Sequence, residues 1–209
     1  MLKLVYCEFL KLKRRKFILL TIIAAALFPI PMTMFAAKSN LGFNWLYLNI
    51  GVYGYFLLLP TVLGVLGAIL FFSEKNNGTQ KNIDIIPIST AALIVAKVLT
   101  LLIFAIIYSL ATNGATLIGG IVIGSIDRIF YRLFIGLIIG ALVAVSVLPI
   151  VAVECLSKKG YIFSIIISFV YAIASFAIVF AMANILSPLS AVFRWALATY
   201  DYRPYLRLR

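Results

Sequence analysis

The stretch VLTLLIFAIIYSLATNGATLIGGIVIG, residues 98–124, runs for 27 positions without a charged side chain. A helix of about 20 apolar residues crosses the hydrocarbon core of a bilayer, so this stretch is long enough to span it. The whole chain has the same character: 65% of its residues are apolar, 11% are charged, and its mean hydropathy is +1.16. These values lie far outside the averages for soluble domains. We therefore predict an all-α integral membrane protein whose 209 residues form a single transmembrane domain.

Five segments have the length and composition of a membrane-spanning helix. They are residues 17–37, 45–72, 98–124, 133–155 and 161–184. Pro29 and Pro31 predict a bend or a broken last turn in the first span, because proline removes a backbone hydrogen bond. Gly136 and Gly140 have the small-xxx-small spacing that lets two helices approach closely. In the fifth span, Tyr171 is interpreted as the one polar side chain.

Polar and aromatic residues add detail to the second and third spans. Trp45 and Tyr47 are expected to anchor the start of the second span at the membrane interface. In the third span, Thr112 and Asn113 are expected to face protein, because polar groups avoid lipid. The helix is also expected to be tilted or irregular near Asn113 and Gly114.

The distribution of lysine and arginine sets the predicted orientation. With a cytoplasmic N-terminus, eleven of these residues lie on the inner side up to the fifth span, and three lie outside: Lys38, Arg128 and Arg132. Cytoplasmic loops of membrane proteins are enriched in Lys and Arg, so we predict that the N-terminus is cytoplasmic. The formal net charge of +12 is then explained by topology, and we expect no nucleic-acid partner.

Both ends of the chain carry further predicted segments. Residues 1–16 contain six basic residues and a row of apolar residues at three- to four-residue spacing. The apolar residues are Leu2, Val5, Phe9 and Leu12. This pattern predicts an amphipathic interfacial helix that contacts the lipids of the inner leaflet. Residues 185–209 add four arginines to the outer side, which indicates either a re-entrant or interfacial tail or a sixth span missing from this chain.

The second and third spans are separated by a polar segment, SEKNNGTQKNIDIIPIST, at residues 73–90. Ile83 and Ile86 lie three positions apart, so they can share the buried face of a short helix whose other face is charged. A proline stops this helix, and Ser89 or Thr90 can cap the next one. The pattern predicts a short helix parallel to the membrane, placed where a cytoplasmic subunit could dock.

Nine residues in and after this segment carry a resemblance to a known family. They are Glu74, Gly78, Thr79, Lys81, Asn82, Pro87, Ile88, Ser89 and Lys97. The pattern resembles the first cytoplasmic loop of type-2 ABC exporter permeases. The layout of the chain is similar to the small permeases of lantibiotic (bacteriocin) self-immunity and of bacitracin-type resistance.

The resemblance implies a role for the segment and a partner for the chain. In this family the loop forms a coupling helix that rests on a nucleotide-binding subunit. The same role is therefore expected for residues 74–89, with Ile83 and Ile86 among the contacts. The family usually has six spans with re-entrant outer helices, and this sequence shows no sixth span.

The sequence lacks the motifs of an enzyme. There is no G-x-x-x-x-G-K-[ST] phosphate loop, so ATP and Mg²⁺ are expected on a partner subunit. There is no histidine, which excludes histidine-containing metal sites and Ser-His or Cys-His catalysis within this chain. Cys7 and Cys155 are expected to be free thiols. We predict that this chain is a transport subunit that binds no cofactor and no metal itself.

Two functions follow from these observations. The first is a permease of an ATP-driven exporter in a bacterial plasma membrane, in which two such chains, identical or related, enclose a route between spans one, two and five. The candidate lining residues are Tyr53, Tyr55, Thr61 and Tyr171. This mainly apolar and aromatic lining suits an amphipathic peptide such as a lantibiotic. The alternative is a passive scaffold or channel subunit without ATP coupling, although a channel normally repeats polar residues along one face of a span.

Overall fold

A computed structural model describes residues 2–13, 16–76, 89–124, 128–156, 161–180 and 187–199. These residues form α-helices and one π-helical segment. In chain order they are α1 (Leu2–Lys13), α2 (Lys16–Leu27), α3 (Pro29–Lys38), α4 (Phe43–Ile50), the π-helix (Gly51–Leu58), α5 (Leu59–Asn76), α6 (Thr90–Ile123), α7 (Ile129–Leu156), α8 (Tyr161–Phe180) and α9 (Pro188–Thr199). The predicted all-α fold class is confirmed.

Four helical units in the described part of the chain are long and apolar enough to cross a membrane. They are Ile18–Lys38, Phe43–Phe71, Thr90–Ile123 and Ile129–Val153. A shorter apolar helix, Phe163–Val179, lies in the predicted fifth span, whose last residues, 181–184, fall outside the described residues. The chain is thus a multi-pass helical bundle, and α5 packs against α6, α7 and α8 near its centre.

The first span is broken where its prolines predicted a disturbance. Helix α2 ends at Leu27, Phe28 forms a turn, and α3 begins at Pro29. Proline is tolerated in the first turn of a helix, because its missing N–H would have no intrahelical partner there. The break is therefore confirmed, but it lies mid-span rather than in the last turn, since α3 continues for ten residues.

The second span contains a π-helix that the sequence pattern did not predict. Residues 51–58 are π-helical, and the Leu59 N–H bonds to the Gly54 carbonyl across five residues. The apolar periodicity of this stretch fits a regular helix equally well, so hydropathy carries no signal for the wider winding. The π-helix buries Tyr55 and Phe56 and leaves Tyr53 partly exposed.

The third span starts earlier than predicted and is regular throughout. The Ser89 side chain accepts a hydrogen bond from the Ala92 N–H (3.3 Å), which confirms the predicted cap and starts α6 eight residues before position 98. The predicted irregularity near Asn113 and Gly114 is wrong, because α6 runs unbroken to Ile123. Tertiary packing on several neighbouring helices outweighs the low helix propensity of one Asn-Gly pair.

Helices α6 and α7 approach closely at the predicted small-residue positions. A Cβ atom built on Gly140 would lie 2.9 Å from the Ser109 Cβ, and one on Gly136 would lie 2.7 Å from the Asn113 Cγ. Ser109 and Asn113, four residues apart on α6, therefore pack against Gly140 and Gly136, which are four residues apart on α7. This confirms the predicted close packing, and it agrees with the burial of Asn113, which was expected to face protein.

The start of α7 is fastened to α4 by an arginine that stacks on two rings. The Arg132 guanidinium lies 4.7 Å from the centroid of the Phe43 ring and 4.9 Å from that of Tyr47, and it donates to the Asn44 side chain. The Tyr47 hydroxyl donates to the Arg132 carbonyl (2.7 Å). Tyr47 was expected to be an interfacial anchor, but it is 5% exposed and joins two helices of the bundle.

The N-terminal helix packs on protein along its apolar side. Helix α1 contacts α6, with Val5 and Leu12 buried and Phe9 half-buried. Glu8 is buried too, at 2% exposure, and accepts a hydrogen bond from the Lys11 ammonium (2.6 Å). The predicted amphipathic helix is present in the described residues, but its buried side includes an acid that the apolar pattern did not include.

The fifth span is more polar than its sequence suggested. Tyr171 was interpreted as its one polar side chain, but Ser164, Ser168 and Ser175 are also buried along α8. The high average hydropathy of the span conceals these hydroxyl-bearing residues. The Ser168 hydroxyl donates a hydrogen bond to the Ser164 carbonyl (2.8 Å). The composition of the span alone does not indicate that its serines face protein.

The tail predicted at residues 185–209 contains a packed helix. Helix α9 contacts α7 and α8, and the Phe193 ring lies 4.3 Å from Phe56 and 6.0 Å from Phe176, centroid to centroid. Residues 200–209 lie outside the described residues. The re-entrant or interfacial course of the tail, and the missing sixth span, stay predictions.

Candidate functional site

The two helices that flank the predicted coupling segment are well defined. Helix α5 continues to Asn76, so residues 73–76, and with them Glu74, belong to a helix rather than to a loop. Helix α6 begins at Thr90 behind its cap, Ser89. The other predicted contacts lie outside the described residues: Gly78, Thr79, Lys81, Asn82, Ile83, Ile86 and Pro87.

A buried lysine joins these flanking helices. Lys97, near the start of α6, is 3% exposed, and its ammonium donates to the Leu70 carbonyl of α5 (2.5 Å). The ammonium also lies 5.0 Å from the centroid of the Phe71 ring. A carbonyl acceptor and an aromatic face on α5 together stabilise a positive charge supplied by α6.

Burying a lysine within a spanning helix is energetically unfavourable, so its presence there indicates a functional role. Lys97 is the eighth residue of α6, and charged side chains buried within spanning helices are characteristic of functional sites. The sequence pattern included Lys97 but gave it no role. The signal that could have found it is a lone cation in the apolar run TAALIVAKVLTLL.

The four predicted lining residues are held by separate contacts. The Tyr55 hydroxyl donates to the Ser109 carbonyl (3.2 Å), and the Tyr171 hydroxyl donates to the Ser146 carbonyl (3.0 Å). The Thr61 hydroxyl donates to the carbonyl of Leu57 in the preceding π-helix (2.8 Å).

Tyr53 differs from the other three, because it is 38% exposed and its ring centroid lies 6.2 Å from that of Phe176. Tyr55, by contrast, is enclosed in the core of this chain at 1% exposure. That the four residues line one route stays a prediction.

A cavity of about 400 Å³ lies elsewhere, between α2, the π-helix with α5, and α6. Its lining is Thr21, Ala24, Leu27, Phe28, Leu58, Val62 and Tyr108. The cavity lies at the junction of α2 and α3, where Phe28 is part of its lining. None of the predicted lining residues belongs to it, although the prolines of the first span were a signal that regular helix packing would be interrupted there.

Within the described residues no three His, Cys, Asp or Glu side chains lie close enough to hold a metal ion. The structural features of the site are therefore a bundle of apolar helices, a buried lysine beside the predicted coupling segment, and an uncharged cavity. Together they define a class, a multi-pass α-helical membrane protein.

Comparison with known families narrows this class. Residues 4–175 match the family model described as ABC-2 family transporter protein, which covers more than half of the chain. The chain belongs to this family and is a membrane permease subunit of an ABC transporter, a kind of subunit that associates with an ABC ATPase. Neither the curated proteins nor the solved structures include a significant match.

Proposed function

We propose that this chain is the permease of an ATP-driven exporter that expels an antimicrobial peptide, such as a lantibiotic, or a similar amphipathic antibiotic. ATP and Mg²⁺ are bound by a separate nucleotide-binding subunit, since the chain contains no phosphate-binding loop. A second permease chain, a copy or a related sequence, completes the transporter. The complex lies in a bacterial plasma membrane with the N-terminus of this chain in the cytoplasm.

The observation that carries the proposal is the buried Lys97 contact beside the coupling segment. The segment at residues 73–90 includes the end of α5, the connection to α6 and its first residue, and Lys97 binds the Leu70 carbonyl across these two helices. A force applied to the segment is then passed to both spans together instead of being absorbed by separation of the two helices. This arrangement suits a segment that transmits movement from an ATPase to the membrane helices.

The segment itself is proposed to contact the nucleotide-binding subunit. Ile83, Ile86 and Pro87 supply an apolar contact, and Lys81 and Asn82 supply polar contacts around it. Specific interfaces often depend on a few such apolar anchors surrounded by polar residues. Glu74, Gly78, Thr79 and Ser89 shape the two ends of the segment.

An amphipathic substrate is supported by the character of the spans. Residues 43–73, 98–123, 133–153 and 161–180 contain no charged side chain. An ion path would place polar groups along the route, whereas an apolar and aromatic route favours a peptide with a large apolar face. Tyr53, which is partly exposed beside Phe176, is the proposed contact nearest the substrate, with Tyr55, Thr61 and Tyr171 supporting the same route.

Purification in mild detergent with mass spectrometry of the bound proteins tests the coupling. We expect the tagged chain to retain a soluble protein with a phosphate-binding loop, and Ile83→Glu to lose it, because a carboxylate would be buried against the ATPase. Ile83→Leu and Lys38→Glu are the matched controls. The first keeps an apolar contact, and the second places an acid at the exposed last residue of α3, at the opposite end of the first span.

The amount of each variant in the membrane is measured in parallel, so that loss of the partner is separated from failed insertion. Equal recovery of the ATPase with Ile83→Glu and with wild type would contradict the proposed coupling segment. Recovery of the chain with integral membrane proteins alone, under conditions that preserve another ABC complex, would favour a passive scaffold or channel subunit.

A further inference from the structure

We propose that the cavity between α2, the π-helix with α5, and α6 binds one acyl chain of a membrane lipid. The inference rests on the geometry of the cavity in a membrane-embedded chain, and it does not depend on the identity of the exported substrate. The lipid would act as a ligand of the first three spans.

The volume of the cavity is large enough for part of an acyl chain. Its volume is about 400 Å³, within the roughly 300–1,000 Å³ range of ligand pockets. An apolar cavity of about 150 Å³ is already large enough to bind benzene in a protein core. The space described here is larger and open on one side, and its volume is enough for several methylene groups.

The lining favours an apolar occupant over water. Ala24, Leu27, Leu58 and Val62 present hydrocarbon from two spans. The lining has two hydroxyl-bearing residues, Thr21 and Tyr108, and Thr21 already donates its hydroxyl to the Ile18 carbonyl (2.8 Å). A buried water needs about two to four polar partners, which is more than these side chains offer.

The same cavity is continuous with the surface that faces lipid. Leu27 lines the cavity and is 54% exposed, and it continues an exposed row on α2 that includes Leu19, Leu20 and Ile23. These side chains lie within a predicted spanning helix, so their surroundings are hydrocarbon. An occupant can therefore enter sideways from the bilayer, where acyl chains are the most abundant apolar ligand.

The cavity lies at the junction of the two helices of the first span. Helix α2 ends at Leu27, α3 starts at Pro29, and Phe28 between them lines the cavity. Pro29 has no N–H to donate to the preceding turn, so the backbone hydrogen bonding of the span is interrupted beside the cavity.

The test uses a phospholipid with a photoreactive diazirine on its acyl chain, incorporated into vesicles that contain the full-length chain and the proteins that purify with it. After illumination, labelled peptides are identified by mass spectrometry. We expect labels from both the first and the second span at the cavity, and we expect an excess of the same lipid without the diazirine to reduce this labelling. Ala24→Trp, which fills the cavity, should lower labelling of the second span at Leu58 and Val62 at least fivefold.

Leu20→Trp is the matched control, because Leu20 lies one turn earlier on α2 at 63% exposure and does not line the cavity. It should leave labelling of Leu58 and Val62 unchanged. Val62→Trp supplies a second filling variant if Ala24→Trp does not insert normally. Labelling that is uniform along α2 and insensitive to both filling variants would overturn the proposal in favour of bulk lipid contact.

A second outcome would also overturn it. If a photoreactive residue at position 24 crosslinks to another copy of the chain and the lipid probe leaves α5 unlabelled, the cavity belongs to a permease interface. Neither outcome bears on whether an ATPase purifies with the chain, so failure of this proposal and failure of the proposed exporter function are distinguishable.

Discussion

At the scale of single residues, Lys97 links the chemistry of the sequence to the proposed mechanism. Its ammonium contacts the Leu70 carbonyl and the Phe71 ring, so one cation of α6 is held by two consecutive residues of α5. A packed apolar residue of similar length could fill this space without loss of fold, because buried charges contribute little net stability compared with well-packed hydrophobic replacements. We infer that the charge is retained for the directed contact it makes between two helices.

This interpretation predicts the behaviour of Lys97→Met. The melting temperature of the purified chain should change by only a few degrees, because methionine keeps the apolar stem and removes an ammonium that is costly to bury. Substrate-stimulated ATPase activity of the complex should fall several-fold, since the two helices can then move separately. Lys38→Met, in an exposed position, is the control. Full stimulated activity in Lys97→Met would show that the contact does not take part in coupling.

At the scale of elements, the stability of the bundle depends on the packing of α6 on α7. Gly140 leaves space for Ser109, and the backbone of α7 cannot retreat without separating the two helices. Overpacking of a close contact costs about 1–3 kcal/mol. A glycine without neighbours behaves in the opposite way, since alanine stabilises a helix by roughly 0.5–1 kcal/mol relative to glycine.

Gly140→Ala should therefore lower the melting temperature measured in detergent, because its Cβ would lie 2.9 Å from the Ser109 Cβ. Gly114→Ala, on α6, is the matched control, since no atom lies within 4 Å of a Cβ built there. This control should be neutral or slightly stabilising. Equal effects of the two substitutions would contradict the described approach of α6 and α7.

The helices of this fold differ in how far the sequence alone predicts them. Length and hydropathy are sufficient to predict spanning helices, because a bilayer requires about 20 apolar residues whatever their packing. Pro29 marks the break for a local covalent reason, since it has no N–H. The π-helix at Gly51–Leu58, which packs Phe56 against Phe193, has no local sign in the helical pattern of the sequence.

The candidate site was predictable to a different degree. The coupling segment was identified by family resemblance, and the described helices fix its two ends at Asn76 and Ser89. The contact between Lys97 and Leu70 joins residues 27 positions apart, so no local pattern could reveal it. The cavity likewise arises where three spans meet, and the helical spacing of its lining within each span does not show which spans will face one another.

At the scale of the whole molecule, coupling to a cytoplasmic ATPase requires one orientation of the bundle in the membrane. Cys7 is exposed on α1, and Ser39 is exposed in the turn after α3. The single span between them should place the two residues on opposite sides. The excess of lysine and arginine predicts that Cys7 is on the cytoplasmic side.

Cysteine labelling checks this orientation. In a Cys155→Ser background, a membrane-impermeant maleimide should leave Cys7 unlabelled in intact cells and label it after permeabilisation. In the same background with Cys7→Ser, Ser39→Cys should be labelled in intact cells. Labelling of Cys7 from outside, with protection of the cysteine at position 39, would reverse the proposed orientation and place residues 73–90 away from the ATPase.

The central claim is that this permease moves an amphipathic peptide with energy supplied by its partner. The most direct measurement reconstitutes the purified complex into vesicles and follows a fluorescent cationic lantibiotic during addition of ATP. We predict that peptide is released from or moved across the membrane with ATP, and that release fails with a non-hydrolysable analogue and with Ile83→Glu. Peptide movement that is equal with and without ATP hydrolysis, in vesicles containing the intact complex, would contradict the account.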